Sequence, residues 1–518
     1  VNLEIIRPKG FEGEGDRHLP EIIDEVTQLL VRAQAELKHD DLLMTPGMLE
    51  WLAIALVEFA EDLHNDIGLW RSLEAYQQEL FGTPLPLVLQ PGEPVTEQEL
   101  MQARVRYLMW VLYPEMNDSL ILAPNQPDLI WLAADVAELL TKAFATVPHG
   151  SGAKDYVTQP NHFVWQVNKK LIWLGQSSYL FRFPFLNHVE ASGGELNADV
   201  ASDFLCVVTT PWSGLGVIDI LAATLNVSER QRADVRRWYD RHFSYYRVET
   251  VKGGDLLLKN LLNDAYYRVS MEETDHSFTA GQMVLASLVP WEDIWYWTGR
   301  QRIYPETSSI DVDEVKATFV LEMPEVIFCY DSELLERAKE LMESRYQEFL
   351  DHFGDELVIF PNGGAMASQI QDYKDRVSDS GGESQLEQTN GHGQVSAHET
   401  ARAAYVNELN AFEDEVGVFF NRLEGLDMMP GINHVVSGLQ RKGQSLSDQE
   451  RAFLQVFVQS DDVSPAFVER LVQEYGGESI AAAFHIDNWD DETVLPYLLR
   501  RYKGEYYRNR YPNFSIIG

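Results

Sequence analysis

The chain has 518 residues, of which 45% are hydrophobic, enough for roughly three domains with cores of ordinary size, and this excludes a disordered chain. Its 81 acidic against 41 basic residues give a formal charge of −40, which argues against broad attraction to nucleic acid or anionic lipid and favours solubility and cationic partners. Only two cysteines occur, Cys206 and Cys329, both in apolar runs; they read as buried reduced thiols and exclude a disulfide framework or a multi-cysteine zinc site.

No apolar run reaches the ~20 residues a membrane span needs, since the richest, residues 129–140, is broken by Asp135 and Glu138. The opening VNLEIIRPKGFEGEGD has no apolar signal core and no small-residue cleavage site, and the chain reads as cytoplasmic.

In chain order, Ile22, Ile23, Val26, Leu29, Leu30, Ala33 and Leu37 recur at helical spacing and predict a helix over 21–39. Thr45 and Pro46 mark the start of a second, apolar from Leu49 to Leu63 and ending at His64, and the two read as a helical hairpin. A capping box at Thr96–Glu99 opens a third helix to about Leu112, and 128–144 is a fourth, so that 1–155 reads as a helical layer. Residues 156–243 form a mixed, aromatic-rich central region: dense aromatics over 162–189, a β-branched run over 203–210 read as a strand, a helix from Val217, and a helix opened by a capping box at Ser228 and Gln231.

Over 244–305 helical spacing gives way to about five short alternating runs, punctuated by Gly253-Gly254, Asn263-Asp264, Gly281, Glu292-Asp293 and Gly299. This predicts a small antiparallel β-barrel, SH3-like or similar, because closure removes exposed strand edges. The expected fold class is therefore α+β, mostly helical with a small central barrel. Residues 306–375 carry a charged helix over 331–353, stopped by Gly354, and a short strand at 357–360. Residues 376–400, almost without large apolar side chains, read as a flexible linker, and 401–518 as a helical C-terminal region with a capping box at Ser447–Glu450 and a helix from Ser464-Pro465 to Gly476.

Several constellations bear on chemistry. Two Glu-x-x-His pairs, Glu36/His39 and Glu61/His64, resemble the unit of di-iron bundles, but an antiparallel hairpin sets them roughly 20 Å apart, so they read as surface pairs. Glu58, Asp62 and Asp66 line one helical face and read as a solvated stripe. His485, Asp487, Asp490, Asp491 and Glu492 fail the EF-hand spacing and read as a helix cap with dipole-complementing acids. Gly214-Leu215-Gly216 lacks the third glycine of a dinucleotide turn, and Gly150-Ser151-Gly152-Ala153-Lys154 lacks the Walker spacing.

Two stretches oppose the global charge by interleaving cations with aromatics. One runs from Arg236 through Arg237, Trp238, Tyr239, Arg241, His242 and Tyr245 to Tyr246; the other holds Arg500, Arg501, Tyr502, Lys503, Tyr506, Tyr507, Arg508, Arg510 and Tyr511. Such segments either hold phosphates and bases or pair with the chain's own acids while the rings pack inward. Trp295 and Trp297 share one strand face and read as core or as a ligand platform.

The stretches WSGLGVIDILA, WYDRHFSYYRVE, GGDLLLKNLL and VPWEDIWYWTG resemble a group of uncharacterised bacterial proteins, over about 161 to the C-terminal RRYKGEYYRNRYP. Some relatives of that group carry a SEC-C metal-binding tail, whose closely spaced cysteines are absent here, so zinc binding does not carry over. The resemblance implies a bacterial cytosolic origin and transfers no catalytic residue and no cofactor. The functional expectation is a non-enzymatic interaction or scaffold protein with a protein partner or self-association. Its candidate binding residues are Arg500, Arg501, Lys503, Tyr506, Tyr507, Arg508, Arg510, Trp295 and Trp297. The alternatives are an enzyme, perhaps a hydrolase, with a site assembled only in the fold, and selective nucleic-acid binding.

Overall fold

The computed structural model describes residues 3, 6–38, 42–117, 121–161, 163–271, 277–304, 312, 315–316, 319, 324–328, 331–379, 412–486, 489 and 491–513. The chain divides into two compact units, one of Val1–Arg241, Val289–Arg300 and Phe484–Gly504, the other of His242–Leu288, Gln301–Ala483 and Glu505–Gly518. The class is mixed α+β.

The first unit is helical. It contains α1 (Leu19–Ala33), α2 (Pro46–Asn65), α3 (Leu69–Phe81), α4 (Glu97–Met116), α5 (Pro127–Phe144), α6 (Gly152–Thr158), α7 (Val164–Ser177), α8 (Arg182–Ala191), α9 (Ala198–Cys206), α10 (Val217–Thr224) and α11 (Glu229–Arg236). The sequence punctuation acts as expected: Thr45 Oγ1 accepts from Met48 N at the start of α2, and reciprocal capping boxes form at Thr96/Glu99 and Ser228/Gln231. Helix α2 packs against α1, α3, α4 and α5 and is buried on every side from Leu52 to Asp62. The unit also holds an aromatic cluster in which Trp70 meets Tyr107 and Trp212 edge-on, Tyr107 is tilted against Trp212, and Trp110 stacks on Tyr497 at 5.7 Å.

Two readings of this unit are corrected. Helix α1 stops at Ala33 and Glu36 lies exposed in the turn beyond it, while His39 lies outside the described residues. Residues 203–206, read as the start of a strand, close helix α9, because Asn197 caps it through Asp199 N and Val200 N and buries Phe204, Leu205 and Cys206. The β-branched Val207–Thr210 follows as coil. Cys206 is buried and in no disulfide; Cys329 lies outside the described residues.

Five strands occupy the centre of the chain: β1 (His242–Lys252), β2 (Asp255–Asn260), β3 (Tyr266–Ser270), β4 (Met283–Trp291) and β5 (Ile294–Tyr304). Their order is β1-β2-β3-β5-β4, and β1 also pairs antiparallel with β4 over His242–Arg247, so the two ends of that order meet. Alternation sets the faces: Tyr246, Val248, Leu256, Leu258, Tyr267 and Val269 are buried, while Arg247, Leu257, Tyr266 and Arg268 are exposed.

The second unit adds α12 (Pro324–Phe328), α13 (Ser332–Phe353), β6 (Leu357–Phe360), α14 (Gly363–Asp379), β7 (Val416–Asn421), β8 (Gly425–Pro430), α15 (Ile432–Gln440), α16 (Asp448–Gln459), α17 (Pro465–Tyr475) and α18 (Glu478–Ala483); α19 (Asp491–Tyr502) belongs to the first. Helix α13 ends as its glycine predicts, with Gly354 in the left-handed region. Its core joins Met342, Tyr346 and Phe349 to Phe360, Tyr373, Val416, Val418 and Phe420. The region read as helical over 401–518 also holds strands β7 and β8 of the sheet β6-β7-β8: β7 is buried at all six positions, so it carries no alternation to read. Helix α14 runs to Asp379, so 376–379 is helical; the rest of the segment read as a linker lies outside the described residues. Among the described residues no helix is long and apolar enough to cross a membrane.

The α16 capping box anchors this unit's helices. Glu450 accepts from Ser447 N (2.9 Å), Ser437 Oγ (2.7 Å) and Arg441 Nε (3.0 Å), and these donors, the Ser447 amide first, hold its carboxyl down at about 2. Because the folded value lies below the ordinary 4.5, the stability it contributes is present above pH 4.5 and is lost as pH falls through about 2. Ser447→Ala is expected to cost about 1 kcal/mol in urea melts at pH 7. Glu450→Gln should flatten the fall in stability across that acid window, and an unchanged slope would show that other carboxyls set it.

Candidate functional site

Three carboxylates of α2 are buried in the helical unit, with Glu58 7%, Glu61 2% and Asp62 2% exposed. The expectation of a solvated stripe and of a surface Glu61/His64 pair is therefore overturned for these residues, and only Asp66, paired with Arg71, lies in water. The cause is the helix itself. Its LAIALVEFA stretch is apolar on all faces, so it sits inside the unit and takes its acids with it.

Each buried carboxylate is met by donors from another segment, as burial of charge requires. Glu58 pairs with Arg182 at the start of α8, whose guanidinium also donates to Ser177 O and lies over Trp51. Glu61 receives Arg7 through both Nη1 (3.1 Å) and Nη2 (2.5 Å), and Ser151 Oγ at 2.6 Å. Asp62 accepts from Gly68 N (2.8 Å), Trp70 N (2.7 Å) and Tyr179 Oη (2.7 Å), and so caps α3 from the neighbouring helix. The Gly150–Lys154 turn belongs to this network and is a clamp: Gly150 N donates to Asn65 Oδ1, Lys154 Nζ to Asn65 O, and Ser151 caps α6. Asp16 bridges Gly13 N and Gly152 N, and a Cβ at Gly152 would stand 2.3 Å from Phe11 O, so that glycine is required by the close approach.

The C-terminal basic-aromatic segment divides. In the first unit Arg501 is 7% exposed, over the Trp110 ring at 4.7 Å and Tyr502 at 5.5 Å, and Lys503 is wholly buried, while Arg500 is half-buried. In the second, Arg510 pairs with Glu424 and lies over Tyr506, whose hydroxyl donates to Asp461 O. Arg508 is half-buried and Tyr507 is exposed. Arg501 and Lys503 are thus buried in their own unit, and Arg501→Glu would test folding rather than contact. In the upstream segment Arg241 pairs with Asp203, Trp238 Nε1 donates to Pro290 O, and Tyr239 Oη to Asp219. Trp295, beneath Arg237 at 5.9 Å, and Trp297 are both half-buried.

The remaining motifs are structural or fall outside the described residues. Gly214 has φ +74 and its absent Cβ admits Gly504 Cα, which explains the Gly214-Leu215-Gly216 turn without a nucleotide. Asp487 and Asp490 lie outside the described residues. Among the described residues no group of three or more His, Cys, Asp or Glu side chains is placed to hold a metal ion.

Residues 47–192 match the model of one family, described as a protein of unknown function (DUF3843). That span contains Glu58, Glu61 and Asp62 together with Ser151, Tyr179 and Arg182. It shows no link to proteins with a SEC-C tail, and it overlaps only the beginning of the stretch on which the resemblance above rests. No curated protein matches the chain, and no solved structure matches it.

Two outcomes follow from this geometry. Arg182→Met strands a buried carboxylate and is expected to cost about 3–5 kcal/mol in denaturant melts, most of which Glu58→Met should restore in the double variant; additive losses would show that the two side chains act separately. His64 stacks on His149 with centroids 4.2 Å apart, its Nε2 is buried without a hydrogen bond, and burial first, then His149, pushes its pKa down. A depressed folded value means that stability is full above the ordinary 6.5 and is lost as pH falls through the lower folded value. Melting temperatures of wild type and His64→Gln should therefore diverge less at pH 5 than at pH 7.5, and parallel profiles would remove His64 from the acid response.

Proposed function

We propose that the protein is a cytoplasmic interaction or scaffold protein that docks an acidic segment of a protein partner on the outer face of its five-stranded sheet, which we infer closes as a small SH3-like barrel. The observation that carries this reading is the composition of that face. Arg247, Lys259 and Tyr266 stand in register across β1, β2 and β3, and Leu257 lies beside Arg268 in the next row. Tyr266 is 60% exposed and Leu257 36%, in a chain whose net charge is −40. The cations are satisfied locally by Glu249, Asp264 and Asp255, in pairs with at least one well-exposed member. Such pairs are worth about 0–1 kcal/mol and exchange readily for a partner's carboxylates. An exposed tyrosine and leucine ringed by cations supply the apolar anchor that contact surfaces favour.

The deeply buried charges support the same reading, because Glu58 is engaged by Arg182 and Glu61 by Arg7 and Ser151 within the fold. Tyr266→Ser with Arg268→Glu is expected to leave the melting temperature within about 2 °C, as surface substitutions do. The same double variant used as affinity bait should lose a stoichiometric partner that wild-type bait retains through nuclease treatment. A partner held equally by both baits would remove the face from consideration, and retention abolished by nuclease would favour nucleic acid instead.

A further inference from the structure

We propose that the outer edge of strand β6 takes up an extended, cationic segment of a partner protein as an added strand of the sheet β6-β7-β8. This surface belongs to the second unit and is independent of the five-stranded sheet. Strand order makes β6 and β8 the two edges. At the head of β8 the chain covers its own edge: Asn513 N donates to Glu424 O at 3.3 Å, and Arg510 Nε donates to the Glu424 carboxylate at 2.9 Å. Among the described residues no strand pairs with the outer side of β6.

The register fixes which groups that edge offers. Phe420 N donates to Glu356 O, and the pairs Leu357↔Phe419, Val358↔Val418, Ile359↔Gly417 and Phe360↔Val416 continue from it. Hydrogen-bonded pairs alternate along an antiparallel ladder, so Glu356, Val358 and Phe360 bond to β7 while Leu357 and Ile359 turn N–H and C=O outward. Leu357 N is taken locally by Asp355 Oδ1 at 3.1 Å, in keeping with that parity. Among the described residues the N–H and C=O of Ile359 and the C=O of Leu357 have no backbone partner on the outer side. The Ile359 side chain is 45% exposed, whereas Val358 and Phe360, on the opposite face, pack into the unit's core. A strand laid along this edge accepts from Ile359 N, donates to Ile359 O and Leu357 O, and covers the Ile359 side chain. Pro361, which has no N–H, bounds the edge and keeps the pairing short.

Charge selects the partner. Beside the head of β6, the carboxylates of Asp355, Glu356 and Glu474 act on one cation, Arg470, whose Nη1 donates to Glu474 Oε2 at 2.7 Å and whose Nε lies 3.5 Å from Glu356 Oε1. Three carboxylates against one guanidinium leave this end of the strand negative, within a chain whose net charge is −40. Lysines or arginines at the matching end of an incoming strand are attracted there, and acidic residues are repelled.

The test is calorimetry and hydrogen–deuterium exchange on the full chain. The probe is a capped peptide of alternating threonine and valine flanked by lysines at both ends, and its counterpart carries glutamates in their place. Saturable one-to-one binding of the lysine peptide is expected, at least about tenfold tighter than the glutamate peptide, with slowed amide exchange over 356–360. Ile359→Pro removes the outward N–H and no hydrogen bond to β7, as an edge position allows, and should weaken binding by about tenfold or more. Ile359→Lys leaves the backbone intact and sets a repelling cation on the edge; it decides the matter where the proline chain fails to fold. Loss of binding in each variant that folds supports the edge, and undiminished binding in any of them overturns it. Equal affinity for the glutamate peptide overturns the charge assignment. Binding without slowed exchange over 356–360, or no saturable binding up to about 1 mM probe, overturns the proposal.

Discussion

Three carboxylates inside one helix organise the helical unit. An ionised side chain removed from water is costly unless its oxygens are taken up by donors of good geometry, and α2 buries three of them within five residues, at Glu58, Glu61 and Asp62. The donors are distant in sequence: Arg182 for Glu58, Arg7 and Ser151 for Glu61, and the Gly68, Trp70 and Tyr179 groups for Asp62. Each pairing fixes a segment that apolar packing alone would leave free to slide. The N-terminal turn is held by Arg7, the Gly150–Lys154 clamp by Ser151, the α2–α3 corner by Asp62 and the start of α8 by Arg182. Hydrophobic burial supplies the drive for this unit, and the carboxylates supply its register.

What was legible in the sequence was whatever is local. Thr45, Thr96, Ser228, Ser447 and Gly354 act within one turn of chain, and each acts in the structure as its spacing predicts. Strands β1, β2 and β3 of the central sheet were legible because one face is wet and the other dry, so period two survives. Strand β7 was not, because burial at every position erases the alternation and leaves VGVFFN indistinguishable from a core helix segment except by its turn, Arg422-Leu423-Glu424-Gly425. The acids of α2 were misplaced for a related reason. Carboxylates at four-residue steps mark a solvated face only when the opposite face alone is apolar; here Leu52–Ala60 is apolar all round, and that stretch was the available signal. Their partners were beyond reach, since nothing local ties Glu58 to Arg182 across 124 residues.

The basic-aromatic segments show how one composition can serve several ends. Arg241 and Arg510 pair with Asp203 and Glu424, and Lys503 is buried. Arg501 differs because it is stacked between rings and its Nε is unmatched. Sequence gives all four the same appearance. What separates them is whether a carboxylate reaches the guanidinium or ammonium, a property of the fold alone.

The charge of −40 bears on this as well. Burial removes acids such as Glu58, Glu61 and Asp62 along with cations such as Arg182, Lys170, Arg501 and Lys503, so the exterior keeps the acidic excess of the composition. The cations Arg247, Lys259 and Arg268 on the sheet therefore stand in a repulsive long-range field toward any acidic partner, and short-range pairing has to overcome it. Screening at ~8 Å in physiological salt removes the long-range repulsion before it removes the contact pairs. Association through this face should for that reason tolerate salt better than a basic nucleic-acid groove does, where counterion release makes affinity fall steeply with ionic strength. Salt response thus separates the two kinds of partner on physical grounds, independently of which molecule is bound.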